Sequence, residues 1–134
     1  MANAIYPLCK EALLSAGINF TSDTIKAALI DTGTYTYSAA HQYWSSASAA
    51  LVGTAATLGT KTVTTGTFDA AHVTYTAVSG SSVEAIIIYK DTGVAATSPL
   101  ISYLDTGYTG LPVTPNGGDI TIAWDSGTNK IFTL

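Results

Sequence analysis

The sequence has little charge and no arginine. Charged residues make up 10% of the 134 residues, against about 25% in an average globular domain, and the formal net charge is −4. Clustered cations are needed to displace the counterions of nucleic-acid phosphates and to hold a chain on an acidic membrane surface. The cations here are scattered, at Lys10, Lys26, Lys61, Lys90 and Lys130. The sequence therefore predicts neither direct nucleic-acid binding nor electrostatic membrane attachment.

A single cysteine, Cys9, excludes an internal disulfide and a metal site built on cysteine alone. It falls on the apolar side of a predicted helix, where a thiol acts as a small buried hydrophobe. No basic segment followed by an apolar stretch opens the chain, so no signal peptide is predicted. The longest apolar run, at residues 85–89, is too short to cross a bilayer and suits a buried strand. We therefore expect synthesis in the cytoplasm.

In place of charge, the sequence is rich in hydrophobic residues and in small hydroxyl side chains. Hydrophobic residues make up 47% of the 134 residues. This length and composition predict a single domain, residues 1–134, with a substantial core. Partners that cover much of the surface would explain the low charge, because free monomers usually keep charged surfaces for solubility. The alternative is a hydroxyl-rich surface that is hydrated by water alone.

Residues 4–16 form the one predicted helix. Asn3 is a suitable N-cap, Pro7 falls in the first turn, and Gly17 suits the C-cap. Apolar residues recur at helical spacing and make one stripe, at Ile5, Leu8, Cys9, Ala12, Leu13 and Ala16. A helix this short depends for its stability on docking that stripe against a core.

After Gly17 the apolar period changes to two, and turn residues separate short segments. The predicted strands are residues 24–30, 60–64, 67–68, 73–78, 83–89, 100–104, 120–124 and 130–134. No helical pattern separates them, which argues against parallel βαβ units. The sequence predicts a mainly β domain, an antiparallel β-sandwich or jelly-roll-like fold with one short N-terminal helix. The most apolar strand, 83–89, is expected at the core, and the last two strands are expected to form a hairpin.

Asp-Thr-Gly occurs at residues 31–33, 91–93 and 105–107, and Asp-Ser-Gly at 125–127. An apolar strand that leads into Asp-Thr-Gly is typical of aspartic proteases, in which two neighbouring carboxylates share a proton. The repetition of the motif at strand ends favours another interpretation. An Asp side chain accepts a hydrogen bond from the backbone two residues on, and Gly adopts positive φ without strain. We interpret the four motifs as turns and predict that the chain is not an enzyme.

Other candidate chemistry is weaker, and we assign no catalytic, cofactor-binding or metal-binding residues. His41 and His72 lack the spacing of a zinc site. Asp119, Asp125 and Asn129 could offer loop oxygens to calcium, but their spacing matches no EF-hand loop. A Ser-His-Asp triad stays open, because its members need not be close in sequence, although no Gly-x-Ser-x-Gly elbow is present.

Aromatic residues are concentrated in the two least regular segments. We predict a partner interface at Tyr35, Tyr37, Tyr43, Trp44 and Tyr108. Aromatic side chains on loops either point inward and cap the core of a sandwich, or stand exposed as anchors for a partner. The sequence leaves both readings open, together with a third in which the aromatic rings form a sugar-binding platform.

Several long segments carry a family resemblance. They are the opening Met-Ala-Asn-Ala-Ile-Tyr-Pro with the Lys-Glu-Ala-Leu-Leu that follows at 10–14, and residues 25–33, 35–41, 67–71, 84–93 and 111–124. Over these segments, which span nearly the whole chain, the sequence resembles a family of small virion structural proteins of tailed bacteriophages. Leu8, Cys9 and His72 depart from the pattern, and the resemblance carries no catalytic residue.

The resemblance implies a component of the phage particle. The expected function is that of a capsid decoration or cement protein, which binds the major capsid protein on the outer surface of the head. Such a protein is made in the host cytoplasm, acts in the virion, and is expected to be a homo-oligomer, a dimer or a trimer. Alternatives are a tail, neck or baseplate protein, or a module that binds host glycans.

Overall fold

A computed structural model of the chain describes residues 3–106, 111–124, 127 and 130–134. The chain is mainly β, with antiparallel sheets and one helix, in a β-sandwich-like arrangement. This confirms the predicted fold class. The elements in chain order are β1 (Ala4–Ile5), α1 (Pro7–Leu14), β2 (Ile25–Ile30), β3 (Leu51–Thr57), β4 (Thr62–Thr64), β5 (Thr67–Asp69), β6 (Val73–Tyr75), β7 (Ala85–Lys90), β8 (Leu100–Leu104), β9 (Ile120–Ile122) and β10 (Phe132–Thr133). No helix in these described ranges is long and apolar enough to cross a membrane.

A five-stranded sheet in the order β1-β8-β7-β2-β3 forms the centre of the molecule. β7 lies in its middle, as the apolar run in the sequence predicts. It pairs with β2 from Ile25 opposite Lys90 to Ile30 opposite Ala85. Ile86, Ile87 and Ile88 are completely buried although they point to alternate faces of the sheet. Both faces must therefore be covered, and burial of each such side chain contributes about 1.5–3 kcal/mol.

Different parts of the chain cover the two faces. Ile87 is paired with Tyr103, so these side chains share a face with Tyr89. The segment 35–44 packs its aromatic rings against that face. β6 lies beside the edge strand β3, and the Tyr75 hydroxyl donates to the carbonyl oxygen of Ala27 over 2.7 Å.

Two small sheets complete the structure. One has the order β10-β5-β4, and the other pairs β6 with β9. Phe68 and Phe132 are directly opposite each other in the first, and both rings contact Phe20, with centroids 4.8 and 5.7 Å away. The alternating pattern of β5, β6, β9 and β10 buries their apolar residues and leaves threonines outside, whereas all three residues of β4 are exposed.

The helix is shorter than predicted, and the expectation that it runs over residues 4–16 is wrong. Ala4 and Ile5 instead pair with Tyr103 and Ser102 of β8. Asn3 does not cap the helix: its Oδ1 accepts the N–H groups of Asp105 and Thr106, and its Nδ2 donates to the Thr106 carbonyl. These bonds join the start of the chain to the end of β8.

α1 begins at Pro7 as its sequence suits, but its C-cap is Ser15 and not the predicted Gly17. Pro7 opens the helix, where its missing N–H costs little. Ala16 adopts the left-handed conformation (φ 60°) at the far end, and Gly17 N–H donates to the Ala12 carbonyl over 2.7 Å. Cys9 is 1% exposed, as predicted for a small buried hydrophobe. Burial raises the pKa of its thiol to about 12.

Two strand predictions also need correction. β3 was not predicted from the sequence, because Gly53 and the alanines of its Leu-Val-Gly-Thr-Ala-Ala-Thr run give little β signal. The predicted C-terminal hairpin is wrong, because β9 pairs with β6 whereas β10 pairs with β5. Local turn residues cannot specify these distant partners. Asp125 and Ser126 of the turn motif lie outside the described residues.

β4 and β5 form a tight hairpin whose two-residue turn is Thr65-Gly66. Both turn residues have positive φ, 51° and 78°, which is the type I′ geometry that matches strand twist. Glycine accepts this conformation readily, but a β-branched threonine is strained in it.

We expect Thr65→Asn to stabilise the protein by about 0.5–1 kcal/mol, because asparagine tolerates positive φ and Asn-Gly is the favoured type I′ pair. Chemical denaturation measures the free energy of unfolding. Thr64→Asn is the matched control: it places the same side chain one residue earlier, in extended backbone, and should be neutral or destabilising. Equal effects at the two positions would contradict the strain argument.

Candidate interaction surfaces

The aromatic segment 35–44 packs as a cap on one face of the central sheet. The indole of Trp44 stacks on the Tyr89 ring, with centroids 4.3 Å apart and planes 3° from parallel. Tyr37 contacts the rings of Tyr6 and Tyr103 at 5.0 and 5.5 Å. Aromatic pairs at such distances add about 0.5–1.5 kcal/mol to the burial of their area. The cap is therefore a structural part of the core.

Backbone hydrogen bonds tie the end of this cap to the start of β8. Trp44 N–H donates to the Ser98 carbonyl over 2.8 Å, and Leu100 N–H donates to the Gln42 carbonyl over 2.9 Å. Tyr43 thereby forms an isolated antiparallel bridge with Pro99. Residues 42–44, whose sequence does not alternate, thus pair with residues 98–100 at one position in the manner of antiparallel strands.

A buried chain of hydrogen bonds connects the cap to the N-terminal part of the molecule. The hydroxyls of Tyr6 and Tyr35 are 2.8 Å apart, and the Tyr35 hydroxyl is 2.9 Å from His41 Nδ1. Burial raises the pKa of both phenols, that of Tyr6 very strongly, so both are neutral at physiological pH. The three polar groups satisfy one another inside the cap.

The predicted interface residues fall into three groups. Tyr35 and Trp44 are 4% and 7% exposed, so they serve as inward caps and offer a partner almost no surface. Tyr37 and Tyr43 are half-buried and keep part of their rings at the surface. Tyr108 lies outside the described residues. The interface prediction therefore now rests on Tyr37 and Tyr43.

The Asp-Thr-Gly motifs at residues 31–33 and 91–93 form the predicted side-chain turns, although only Gly93 has a positive φ, and Gly107 of the third motif lies outside the described residues. Asp31 Oδ1 accepts the N–H of Gly33 over 2.9 Å, and Asp91 Oδ1 accepts the N–H of Gly93 over the same distance. Asp31 follows β2 and Asp91 follows the antiparallel β7, so they lie at opposite ends of the paired strands. Six residues at about 3.3 Å each separate these ends by about 20 Å. These two carboxylates cannot share a proton within one chain.

Lysines gather at one end of the central sheet, where β2 begins and β7 ends. Lys26 Nζ is 2.8 Å from Asp91 Oδ2, and Lys90 Nζ is 3.0 Å from Asp23 Oδ2. The bond from Lys26, together with the Gly93 N–H, lowers the pKa of Asp91. The Asn19 N–H and then Lys90 lower that of Asp23. Lys61 also donates to the Asp23 carbonyl.

Two other carboxylates stabilise loops by accepting hydrogen bonds from backbone N–H and hydroxyl groups. At the other end of the sheet, Glu84 Oε1 accepts from the N–H and the hydroxyl of Thr32 over 3.0 and 2.9 Å. Burial would raise the pKa of Glu84, but these bonds and one from Ser82 outweigh it and lower that pKa. Asp119 Oδ1 accepts the N–H of Ala77 over 2.9 Å. Each of these groups stabilises a turn or a loop.

The histidines are separately engaged. His41 Nδ1 bonds to Tyr35, whereas His72 Nδ1 accepts the Trp124 N–H over 3.0 Å, which requires that nitrogen to be unprotonated. In the described ranges no group of three or more His, Cys, Asp or Glu side chains comes together as a metal site. Of the loop oxygens considered for calcium, Asp125 and Asn129 lie outside the described residues.

Sequence reasoning missed a threonine-rich outer face on the two small sheets. The hydroxyls of Thr67 and Thr133 are 2.9 Å apart on β5 and β10, and those of Thr74 and Thr121 are 3.1 Å apart on β6 and β9. The signal was present as Thr at alternate strand positions, but the pairing of strands distant in sequence was needed to reveal it. We use the name threonine face for the outer sides of these two separate sheets taken together, that is, for these threonines with the exposed Thr62 and Thr64.

No family model matches the sequence. No curated protein matches it significantly either.

We expect Asp31→Asn to change the free energy of unfolding by less than about 0.5 kcal/mol, because the amide oxygen still accepts the Gly33 N–H. Asp31→Ala should cost about 1 kcal/mol, since the turn then loses its acceptor. Thermal and urea denaturation of both variants measure this, and Asp91→Asn is the contrasting variant, which should cost more because it also removes the ion pair with Lys26. A large loss of stability in the Asn variant would show that the negative charge itself is required.

Trp44→Ala should destabilise the protein by about 3–5 kcal/mol, because it opens a cavity over Tyr89. Tyr43→Ala should cost about 1 kcal/mol or less, because its side chain is half-buried and its backbone bridge remains. Urea denaturation of the two neighbouring variants gives the comparison. If Tyr43→Ala were the more damaging change, the division between caps and surface residues would be wrong.

Proposed function

We propose that the chain is a non-enzymatic structural protein of a tailed-phage particle, and that it acts as a decoration or cement protein on the outside of the capsid. The observation that carries this proposal is that six charged side chains are engaged in turns, loops and ion pairs, namely Asp23, Lys26, Asp31, Lys90, Asp91 and Asp119. These groups maintain a rigid fold. The family resemblance of the sequence supports the particle location.

The threonine face gives this function a contact surface. Thr67 and Thr133 on one sheet, and Thr74 and Thr121 on the other, present short hydroxyl-bearing side chains on β-strands. Threonine has a stiff χ1 and loses little conformational entropy when a partner covers it. It can also form hydrogen bonds without the desolvation cost of a buried charge. Such a surface suits permanent contact with a regular protein lattice.

The half-buried tyrosines supply a second contact element. The Tyr37 ring is held against Tyr6, and the backbone of Tyr43 is held by its bridge to Pro99, so a partner would meet an ordered Tyr37 ring and a fixed Tyr43 backbone. Preordered aromatic side chains are frequent anchors in protein interfaces. The major capsid protein is the proposed partner, with other virion proteins if the chain lies elsewhere in the particle.

Electron cryomicroscopy of purified particles tests the location. We expect density for this chain at regular lattice positions on the outer surface of the head. Density confined to the tail, neck or baseplate would replace the cement function by the alternative structural one. If intact particles lacked the chain, the structural proposal would fail, and binding to host glycans would be measured next.

A release assay tests the cement function separately. Heads that lack the chain should lose DNA on heating at a lower temperature than complete heads, and addition of purified protein should restore the release temperature of complete heads. Addition of the Tyr43→Ala variant, which is expected to keep its fold, reports the contribution of that ring. An unchanged release temperature in heads without the chain would exclude a stabilising function.

A further inference from the structure

β4 is a terminal strand of the three-stranded sheet, and its outer edge is open to solvent. Within the described ranges it pairs only with β5. Thr62, Val63 and Thr64 are all exposed, and Val63 has 52% of its surface accessible. Such an edge presents unpaired backbone groups that can pair with another strand.

The hairpin geometry shows which backbone groups face outward. In a two-residue hairpin the residues that flank the turn, here Thr64 and Thr67, form a hydrogen-bonded pair. Hydrogen-bonded and non-hydrogen-bonded pairs alternate along antiparallel strands, so the next pair, Val63 and Phe68, is not hydrogen-bonded. Phe68 accordingly turns its carbonyl away from β4 and accepts the Ile131 N–H over 3.1 Å. Val63, the partner of Phe68, therefore directs its own N–H and C=O to the open edge.

The Val63 side chain lies on the inner face of this sheet. It is directly opposite Phe68, which is opposite Phe132, so the three side chains form one row. Phe68 and Phe132 are 2% and 8% exposed, whereas Val63 ends the row half uncovered. An additional strand beside β4 would continue this apolar row.

β4 is short, which itself limits pairing, but it lacks the other usual protections of an edge strand. Natural edges are commonly blocked by charged side chains, proline or a bulge. β4 has the sequence Thr-Val-Thr and pairs with β5 in regular register. The preceding Lys61 is directed elsewhere, because its ammonium group donates to the Asp23 carbonyl.

We propose that two copies of the chain associate through β4, antiparallel about a two-fold axis at Val63, to form a continuous six-stranded sheet. The two Val63 residues exchange a pair of N–H···O=C bonds and place their side chains in contact on the inner face. Each Thr62 then faces Thr64 of the other copy, and each Lys61 faces Thr65, so no like charges meet. This pairing follows from the edge alone and does not depend on the proposed function.

The association is expected to be weak and reversible. A three-residue edge buries less area than the roughly 1,200–2,000 Å² of a stable interface. Sedimentation velocity from about 10 μM to about 1 mM should therefore show a monomer that becomes a dimer at the upper end. A protein that remains monomeric over the whole range would overturn the proposal.

Substitution of Val63 tests whether β4 is the dimer interface. Val63→Lys places two cations opposite each other and should weaken dimerisation by about tenfold or more. Val94→Lys is the matched control, because Val94 is 57% exposed and lies in the loop after β7. Dimerisation that survives Val63→Lys, or that is lost equally in the control, would place the interface elsewhere.

Two further measurements do not require the fold to accept a lysine at position 63. Val63→Pro removes the outward N–H while leaving the bonds between β4 and β5 in place, and should also favour the monomer. In the unmodified protein, the Val63 amide should exchange with solvent more slowly as concentration rises, whereas the amide of Val94 should not change. A Val63 amide that exchanges at the same rate in monomer and dimer would refute pairing at this edge.

Discussion

The structure depends on one constraint: the central strand β7 is apolar on both sides. Ile86, Ile87 and Ile88 point alternately up and down, so the sheet that contains them is stable only if both faces are covered. The described residues form one short α-helix, so loops and small sheets must cover most of both faces. The aromatic cap meets this need on one face, and its internal hydrogen bonds follow from burying tyrosine hydroxyls there.

The use of loops and short strands to cover the sheet also determines the role of the polar residues. A protein built from short strands needs many turns, and each turn leaves backbone groups to satisfy. Asp31, Asp91, Asn116 and Asp119 accept backbone N–H groups, and Asn3 both accepts and donates. A chain with few charges thus uses much of its polar chemistry to hold its own fold, which explains why a catalytic motif and a turn motif look alike here.

Features encoded locally were predictable from the sequence. The antiparallel β class, the position of the 83–89 run and the Asp-Gly turns follow from alternation and turn chemistry. Features that depend on distant partners were not. Ala4 and Ile5 fit a helical stripe as well as a strand, and only β8, about a hundred residues later, decides between them. Tyr35 and Trp44 lie in an irregular segment, and their burial depends on Tyr103 and Tyr89 emerging on the same face.

The distribution of charge along the central strands has a physical consequence of its own. Lys26, Lys61 and Lys90 lie with Asp23 and Asp91 at the end where β2 begins, whereas Asp31, Glu84 and Asp105 lie at the end where it stops. These eight groups therefore contribute an electric dipole component roughly parallel to the central strands. In an external field, such as that of a charged particle surface, a torque acts on the protein before any contact forms. Because such a field decays over about 8–10 Å at physiological ionic strength, the torque acts only within the last layers of water next to a charged surface.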